Sequence, residues 1–481
     1  MKAPKTDAIA SAKVEIVKIV GEPYLIDQDS EKAAFEHEWR GHYRNLKAAF
    51  VAVPGNTQEV SSVVKICNRF KIPMIPQGGN TGLVAAGVPH GEGSEVIISV
   101  KRLKSVRSID PLENTIVVDA GCTLQQVQDA ADDADRLFPL SIGSQGTCQI
   151  GGNIGSNAGG ITVLRYGNMR ELVLGLEVVL PDGEIWHGLR RLRKDNTGYD
   201  LKQLFIGGEG TLGVVTAAVL KLFPKPAAKI TGFLGLESPH HALQCLSTLR
   251  ESSGEWLTSF EIMPRAGVEL VIENYSACRD PLPDGNYPWY VLFEIAPSTK
   301  NEAFQTDIEA ILAEGFEEEL ILDAVIAQSE QQSAQLWQIR ETLVEAQKIP
   351  GASIKHDVSV PVSKVPEFLE RAYDVCQKVV PGCRPLPFGH LGDGNIHYNV
   401  SQPADMKHEN YMEFMHAMNE EVHNIVVELG GSISAEHGIG YLKIAENLRF
   451  KPEIEVTLMR KIKKALDPDG LMNPGKMVPI D

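Results

Sequence analysis

Residues 143–160 read GSQGTCQIGGNIGSNAGG, and seven of these eighteen positions are glycine. A tract of similar composition, PQGGNTGLVAAG, occupies residues 76–87, and a third, IGGEGTLG, residues 206–213. Neither of the first two carries Gly-x-Gly-x-x-Gly or the Lys-Ser/Thr of a Walker loop, so a nicotinamide on a Rossmann unit or a nucleotide on a P-loop is not supported. Glycine at this density still lets backbone N–H groups approach a phosphate closely, and Asn80, Thr81, Thr147, Ser156 and Asn157 supply further donors. A diphosphate is the expected guest of these loops.

Around the tracts the first half alternates short apolar strands with helices. AFVAVP is followed by the helix TQEVSSVVKICNRF, opened by Asn56 with Glu59 three residues on, and then by KIPMIP. The pattern continues through SEVIISV, NTIVVDAG, a helix expected from about Thr123 to Arg136, and a hairpin LEVVLPDGEIWHG turning at Pro-Asp-Gly. Pro224-Lys225-Pro226 reads as a boundary. Beyond it, KITGFLGL, LTSFEIM, PWYVLFEIA and ELILDAV alternate with helical stretches, the pattern of one sheet backed by helices. From about Asp405 the pattern is mostly helical, and no long internal repeat is present. The expected architecture is α+β, with domains at 1–225, 226–425 and 426–481.

Composition narrows the function. The 481 residues include 46 basic and 63 acidic side chains, and the formal charge of −17 disfavours nucleic acid and anionic membrane surfaces. The N-terminal stretch lacks an apolar core of signal-peptide length and no segment is an apolar span, so a cytosolic protein without a membrane span is expected. Seven cysteines include no Cys-x-x-Cys, which argues against a disulfide framework or a zinc knuckle.

A second kind of motif carries the chemistry. In PFGHLGDGNIHYN, His390 and His397 are seven residues apart, on opposite faces of a straight strand. A bend through Gly392-Asp393-Gly394 would bring both rings to one point. SISAEHGIG (432–440) adds Glu436 and His437, adjacent residues that cannot face one ligand alike. His390, His397 and Glu436 make a two-histidine, one-carboxylate set for a divalent cation, whose donors suit zinc, manganese, cobalt or iron, with zinc or manganese expected, and His437 stands beside it to act as a base. Arg340 and Lys355 taken alone read as ordinary surface charges.

These motifs together resemble the vanillyl-alcohol-oxidase (PCMH-type) flavoproteins. The tract PQGGNTG, then GGNIGSNAGG, RKDNTGYDLKQLFIGGEGTLGVVT (193–216) and MNPGKMVP (472–479) are most similar to their D-2-hydroxyacid dehydrogenase branch, which includes D-2-hydroxyglutarate dehydrogenase. The resemblance implies a two-part FAD-binding domain, an α+β substrate domain with an antiparallel sheet, and a helical C-terminal region. It places FAD on Pro76, Gln77, Gly78, Gly79, Asn80, Thr81 and Gly82, on Gly146, Thr147, Gly151, Gly152, Asn153, Ser156 and Asn157, and on Glu209, Gly213 and Asn473. Asn80 stands where covalent members carry a histidine or cysteine, so the FAD is expected to be non-covalent. The resemblance agrees with the metal set and with His437 as the base. It also assigns Arg340, Lys355, Asn395 and His437 to a small anionic 2-hydroxy acid. Val344 replaces the hydroxyl residue often found near the far carboxylate, which leaves D-2-hydroxyglutarate, D-malate and D-lactate open, with the first preferred. An ether-lipid synthase of the same superfamily is disfavoured by the missing basic amphipathic segment. The implied partners are an electron-transfer flavoprotein or quinone as acceptor and a second copy in a homodimer.

Overall fold

The computed structural model describes residues 6–91, 93–299 and 302–479. The chain divides into two units. One holds the residues up to Gly160, Gly167–Pro224 and everything from Glu436 onward; the other holds Ile161–Tyr166 and Lys225–Ala435.

In the first unit the strands Phe50–Ala52, Val96–Ser99 and Met74–Gln77 pair in parallel, with Leu25–Ile26 antiparallel at one edge. The helix Thr57–Phe70 is the crossover from Phe50–Ala52 to Met74–Gln77, the two parallel strands that flank Val96–Ser99. Asn56 opens that helix by accepting the Glu59 N–H at 2.9 Å, while the Glu59 carboxylate returns to Gly55 N–H and the Asn56 amide. Val60, Val63, Val64 and Cys67 repeat at helical spacing and are buried against the sheet, each burial contributing about 1.5–3 kcal/mol for side chains of valine size and larger.

A second, wholly antiparallel sheet runs in the order Val106–Asp110, Thr115–Asp119, Val214–Lys221, Val173–Val179, Ile185–Gly188. Its last pair is the hairpin expected at Pro181-Asp182-Gly183, with Gly183 at φ 86°. The helix expected to reach Arg136 ends at Asp133. Asp135 turns left-handed at φ 57°, and Arg136–Leu137 leave to pair with Phe223–Pro224.

The second unit is built on a seven-stranded antiparallel sheet. Its strand order is Asp323–Ile326, Ile230–Leu236, Trp289–Ile295, Leu257–Pro264, Arg384–His390, Asn395–Ser401, Ser353–Ser359. Phe233, Met263, Tyr290 and Leu292 pack with Leu336, Ile339 and Leu343 of the helix Glu330–Ala346. The α+β expectation, with an antiparallel sheet backed by helices, holds. After the chain re-enters the first unit it forms the helices Ile444–Phe450 and Glu453–Leu466. It then pairs with the start of the strand Met74–Gln77 through Met74 N–H to Leu471 O and Asn473 N–H to Met74 O, both 2.7 Å. No helix among the described residues is long and apolar enough to cross a membrane.

Candidate functional site

In the first unit, Met74–Gln77 delivers the chain into the first glycine tract. Gln77 is buried and spends both amide hydrogens on Phe35 O and Gly87 O at 2.7 Å, so its side chain shapes the loop. Asn80, left-handed at φ 52°, donates to His37 O at 3.0 Å, and its carbonyl accepts the Trp39 indole N–H. A Cβ on Gly79 would stand 2.1 Å from Thr147 O, so the first two tracts close backbone to backbone. Their other side is bare: a Cβ on Gly82, Gly146 or Gly152 would meet nothing within 4 Å.

The polar side chains of the second tract largely build the loop. Ser156 donates to Gly152 O, Thr147 to Ser144 O, and Asn157 accepts the Arg170 N–H. Gln149 Oε1 and Asn473 Oδ1 are buried acceptors without a hydrogen bond. Bare backbone for a diphosphate and orphan acceptors for sugar-alcohol hydroxyls fit FAD.

The loop carrying His437 is fixed within the same unit. Glu209, at φ 48°, accepts Ile439 N–H at 2.7 Å and Gly440 N–H at 2.6 Å. Burial raises its pKa to about 6, against those two hydrogen bonds and Lys476. Glu209, expected among the cofactor residues, here holds the His437 loop. Gly440 must be glycine, since a Cβ would lie 2.0 Å from Val84 O. The C-terminal segment locks the arrangement: Asn473 donates to Ala86 O and Glu209 O, and Lys476 to Ala85 O and Val88 O. Burial pushes the Lys476 ammonium down to about 8. Arg40 Nη2 lies 3.4 Å from His437 Nδ1.

In the second unit the strand register sets one face of the sheet. His390 pairs with Asn395 and Phe388 with His397 across the hairpin, Asp357 pairs with His397, and Glu261 with His390. Directly paired residues share a face, so Glu261, His390, Asn395, His397, Asp357 and Lys355 all stand on one side. The turn at Leu391–Gly394 reverses the chain, and the two histidine rings meet with centroids 5.8 Å apart.

Glu261, fully buried, takes His390 Nδ1–H at 2.6 Å on one oxygen and Arg340 Nε–H at 2.8 Å on the other. Burial works to raise its pKa, but His390 and Arg340 overcome that and hold it at about 2. With Nδ1 donating to a carboxylate, a neutral His390 ring carries its lone pair on Nε2, the tautomer a metal ligand requires. His397 Nδ1 lies 3.7 Å from Asp357 Oδ1. Arg340 is buried, stacks 4.6 Å over Phe388, and beyond Glu261 its fork donates to no other described residue. Lys355 is exposed.

Asn395 differs from expectation. Its amide hydrogens go to Asp357 Oδ1 and Val358 O, and its buried Oδ1 has no hydrogen bond. It therefore offers an acceptor, where a carboxylate needs a donor.

Glu436 and His437 follow Ala435, whose N–H bonds Asp357 O at 3.2 Å and ends the second unit's segment. Sequence reading missed Arg40, Glu261 and Asp357. Glu261 had a signal, a carboxylate inside the apolar run LTSFEIM that burial would oblige to find a partner. Arg40 sits in an irregular loop with no such signal. A separate cleft of about 470 Å³ in the first unit, lined by Asn56, Thr57, Arg107, Asp119, Ile185 and His187, contains none of these residues.

Comparison with known proteins bears on these sites. Residues 48–188 match the "FAD binding domain" model, and residues 225–477 match "FAD linked oxidases, C-terminal domain". The chain is 37% identical over 463 residues to a rice (Oryza sativa subsp. indica) protein named "Probable D-2-hydroxyglutarate dehydrogenase, mitochondrial", covering 96% of this chain and 80% of that one. It is 36% identical over 455 residues, 93% of this chain and 90% of the other, to the D-2-hydroxyglutarate–pyruvate transhydrogenase of Saccharomyces cerevisiae. The structure of p-cresol methylhydroxylase superposes with a TM-score of 0.80 at 16% identity, over 99% of this chain and 98% of that one, a likeness of fold. The expectation of a cytosolic protein is overturned: the rice relative and others at 35–38% identity are named mitochondrial. An apolar core marks secretory leaders alone, whereas mitochondrial targeting relies on amphipathic, arginine-rich segments that hydropathy does not register.

Proposed function

This chain belongs to the FAD-linked oxidases, matching that family's cofactor and C-terminal domains in turn, and from that premise we propose that it oxidises D-2-hydroxyglutarate to 2-oxoglutarate with metal assistance. It is an FAD-dependent D-2-hydroxyacid dehydrogenase. The preference for D-2-hydroxyglutarate follows the relatives' names and the two cationic side chains of the second unit.

FAD, held without a covalent bond, supplies the acceptor for the C2 hydrogen and its electron pair. His390 and His397 hold a divalent cation, zinc or manganese, with Glu436 as the proposed third ligand, and such a cation lowers the pKa of a bound hydroxyl. The observation that carries this part is the 2.6 Å bond from His390 Nδ1–H to Glu261, the orienting carboxylate contact typical of a metal-binding histidine.

The chain's own side chains do the rest. His437 accepts the hydroxyl proton. Arg340, whose fork is backed by Glu261 and suits a carboxylate, and Lys355 are the two cations proposed for the distal carboxylate. Asn395 Oδ1 adds a buried acceptor on the same face of the sheet. The resemblance adds a homodimer and an electron-transfer flavoprotein or quinone acceptor; the yeast relative is named for passing its electrons to pyruvate.

A D-lactate or D-malate preference is the second reading, favoured by Val344, which is 46% exposed on the Arg340 helix and lacks a hydroxyl.

One experiment tests both. Anaerobic flavin reduction is followed with the D- and L-forms of 2-hydroxyglutarate, malate and lactate, before and after chelation. Fast reduction by D-2-hydroxyglutarate, lost on chelation and restored by zinc or manganese, is expected. Reduction that survives exhaustive metal removal overturns the metal part, and His437→Asn protein that still reduces its flavin at the wild-type rate overturns the base.

A further inference from the structure

We infer that Arg40 is the ligand of the substrate's C1 carboxylate, contributed by the first unit beside His437. This rests on His437 being the group that meets the C2 hydroxyl.

The segment that carries Arg40 has no regular secondary structure, yet it is tightly held. Glu38 is buried and wraps the chain around its carboxylate, accepting Arg40 N–H at 2.8 Å, His42 N–H at 2.7 Å and Tyr43 N–H at 3.4 Å. The segment is pinned to the first glycine tract at both of its near residues, by Asn80 Nδ2 to His37 O and by the Trp39 indole to Asn80 O. It is tied to the His437 loop through Tyr43, whose ring lies 5.1 Å from that of Tyr441. The His437 loop is itself fixed by Glu209. The two side chains are therefore presented by two clamped loops.

Their spacing matches the substrate. A guanidinium has only donors, so in the 3.4 Å contact His437 Nδ1 is the acceptor. In a 2-hydroxy acid the hydroxyl oxygen and the nearer carboxylate oxygen sit on adjacent carbons, about 3 Å apart. A proton acceptor and a cationic fork 3.4 Å apart are complementary to that pair. A carboxylate is the stronger partner for the guanidinium, because it adds an opposite charge and can accept two parallel N–H bonds where the imidazole nitrogen accepts one. Substrate binding thus draws Arg40 onto the carboxylate and leaves the Nδ1 lone pair facing the hydroxyl. In a chain of net charge −17, an anionic substrate also needs such local cations.

The test uses the oxidised holoenzyme and two ligands that need no proton transfer. One is 2-oxoglutarate; the other is 4-oxobutyrate, the same chain without the C1 carboxylate. Binding is read from the perturbation of the flavin spectrum in wild type, Arg40→Gln and Arg40→Lys. Arg40→Gln is expected to weaken 2-oxoglutarate about 10- to 150-fold, the range for losing a hydrogen bond to a charged group, while 4-oxobutyrate changes less than about threefold on the same reasoning. Arg40→Lys, which keeps the charge without the fork, falls between. Equal weakening of both ligands, or of neither, overturns the assignment, as does Arg40→Lys binding no better than Arg40→Gln. Because no turnover is involved, these outcomes stand apart from the His437→Asn result. Should the substrate panel select D-lactate, pyruvate and acetaldehyde replace the pair with the same expected contrast.

Discussion

Replacing Glu261 by glutamine keeps the volume of the side chain and removes one acceptor from a site that uses two. Glu261 has 0% exposure, and its oxygens are committed to His390 Nδ1 at 2.6 Å and Arg340 Nε at 2.8 Å. The amide of Gln can serve only one of these donors. Arg340, 5% exposed, has the stronger claim, since leaving a buried cation unpaired costs about 3–5 kcal/mol. With the carbonyl turned to Arg340, the amide N–H₂ faces His390. The imidazole must then accept at Nδ1 and carry its proton on Nε2, which caps the lone pair proposed for the metal. A lost charge-assisted hydrogen bond, and weakening of the remaining one, cost about 3 kcal/mol together. In a unit of 150–250 residues this lowers the melting temperature by about 6–12 °C. Removal of a metal ligand's orienting partner lowers metal affinity about 10- to 100-fold. Thermal melts of wild type and Glu261→Gln, with bound metal measured at a series of buffered free zinc concentrations, check both numbers. A variant that melts lower but binds zinc as tightly as wild type would refute the link from Glu261 through His390 to the metal. One that matches wild type in both measurements would refute the burial reasoning as well.

Three further outcomes are expected. Gly79→Ala places a Cβ where the present distance to Thr147 O is 2.1 Å, so the protein should purify with a sharply reduced flavin-to-protein ratio; full flavin occupancy would contradict the loop-on-loop reading. Lys355→Ala should raise KM for D-2-hydroxyglutarate at least about tenfold more than for D-lactate, as expected for losing one charged hydrogen bond, and an equal rise for both removes Lys355 from the distal carboxylate. Lys476, held near 8 against an ordinary 10.5, binds its proton less tightly when folded than unfolded. The unfolded chain therefore carries the extra proton between pH 8 and 10.5, and this group makes stability rise with pH across that window by about 3 kcal/mol. Denaturant titrations of wild type and Lys476→Met at pH 7, 8.5 and 10 should diverge upward for wild type; parallel curves would mean that the ammonium is not held down by its burial.

The glycine tracts, the capped helix at Asn56, the Pro-Asp-Gly hairpin and the Gly-Asp-Gly reversal between His390 and His397 were all legible in the chain. Each depends on forces between near neighbours: a cap, a left-handed turn, a period of two or of 3.6. The family resemblance was legible for the same reason, because its motifs are contiguous. What sequence could not supply was the assignment of individual polar side chains inside those motifs. Gln77 and Glu209 lie in glycine tracts and look like cofactor ligands, yet one clamps Phe35 and Gly87 and the other holds the His437 loop. Nothing local distinguishes a carboxylate that meets a ligand from one that meets a backbone 231 residues away.

The same limit governs the histidine face. The sequence by itself determined that His390 and His397 flank a turn, since two glycines around an aspartate permit little else. It also determined the class of fold, from the alternation of strands and helices and the three glycine tracts. Tertiary structure alone decided that Glu261 and Arg340, from a distant strand and helix, set the tautomer of His390, and that Arg40 stands beside His437. Those contacts come from antiparallel register and loop clamping, which bring residues together irrespective of their distance along the chain. The polar partners are then chosen by which buried donors and acceptors would otherwise go unpaired.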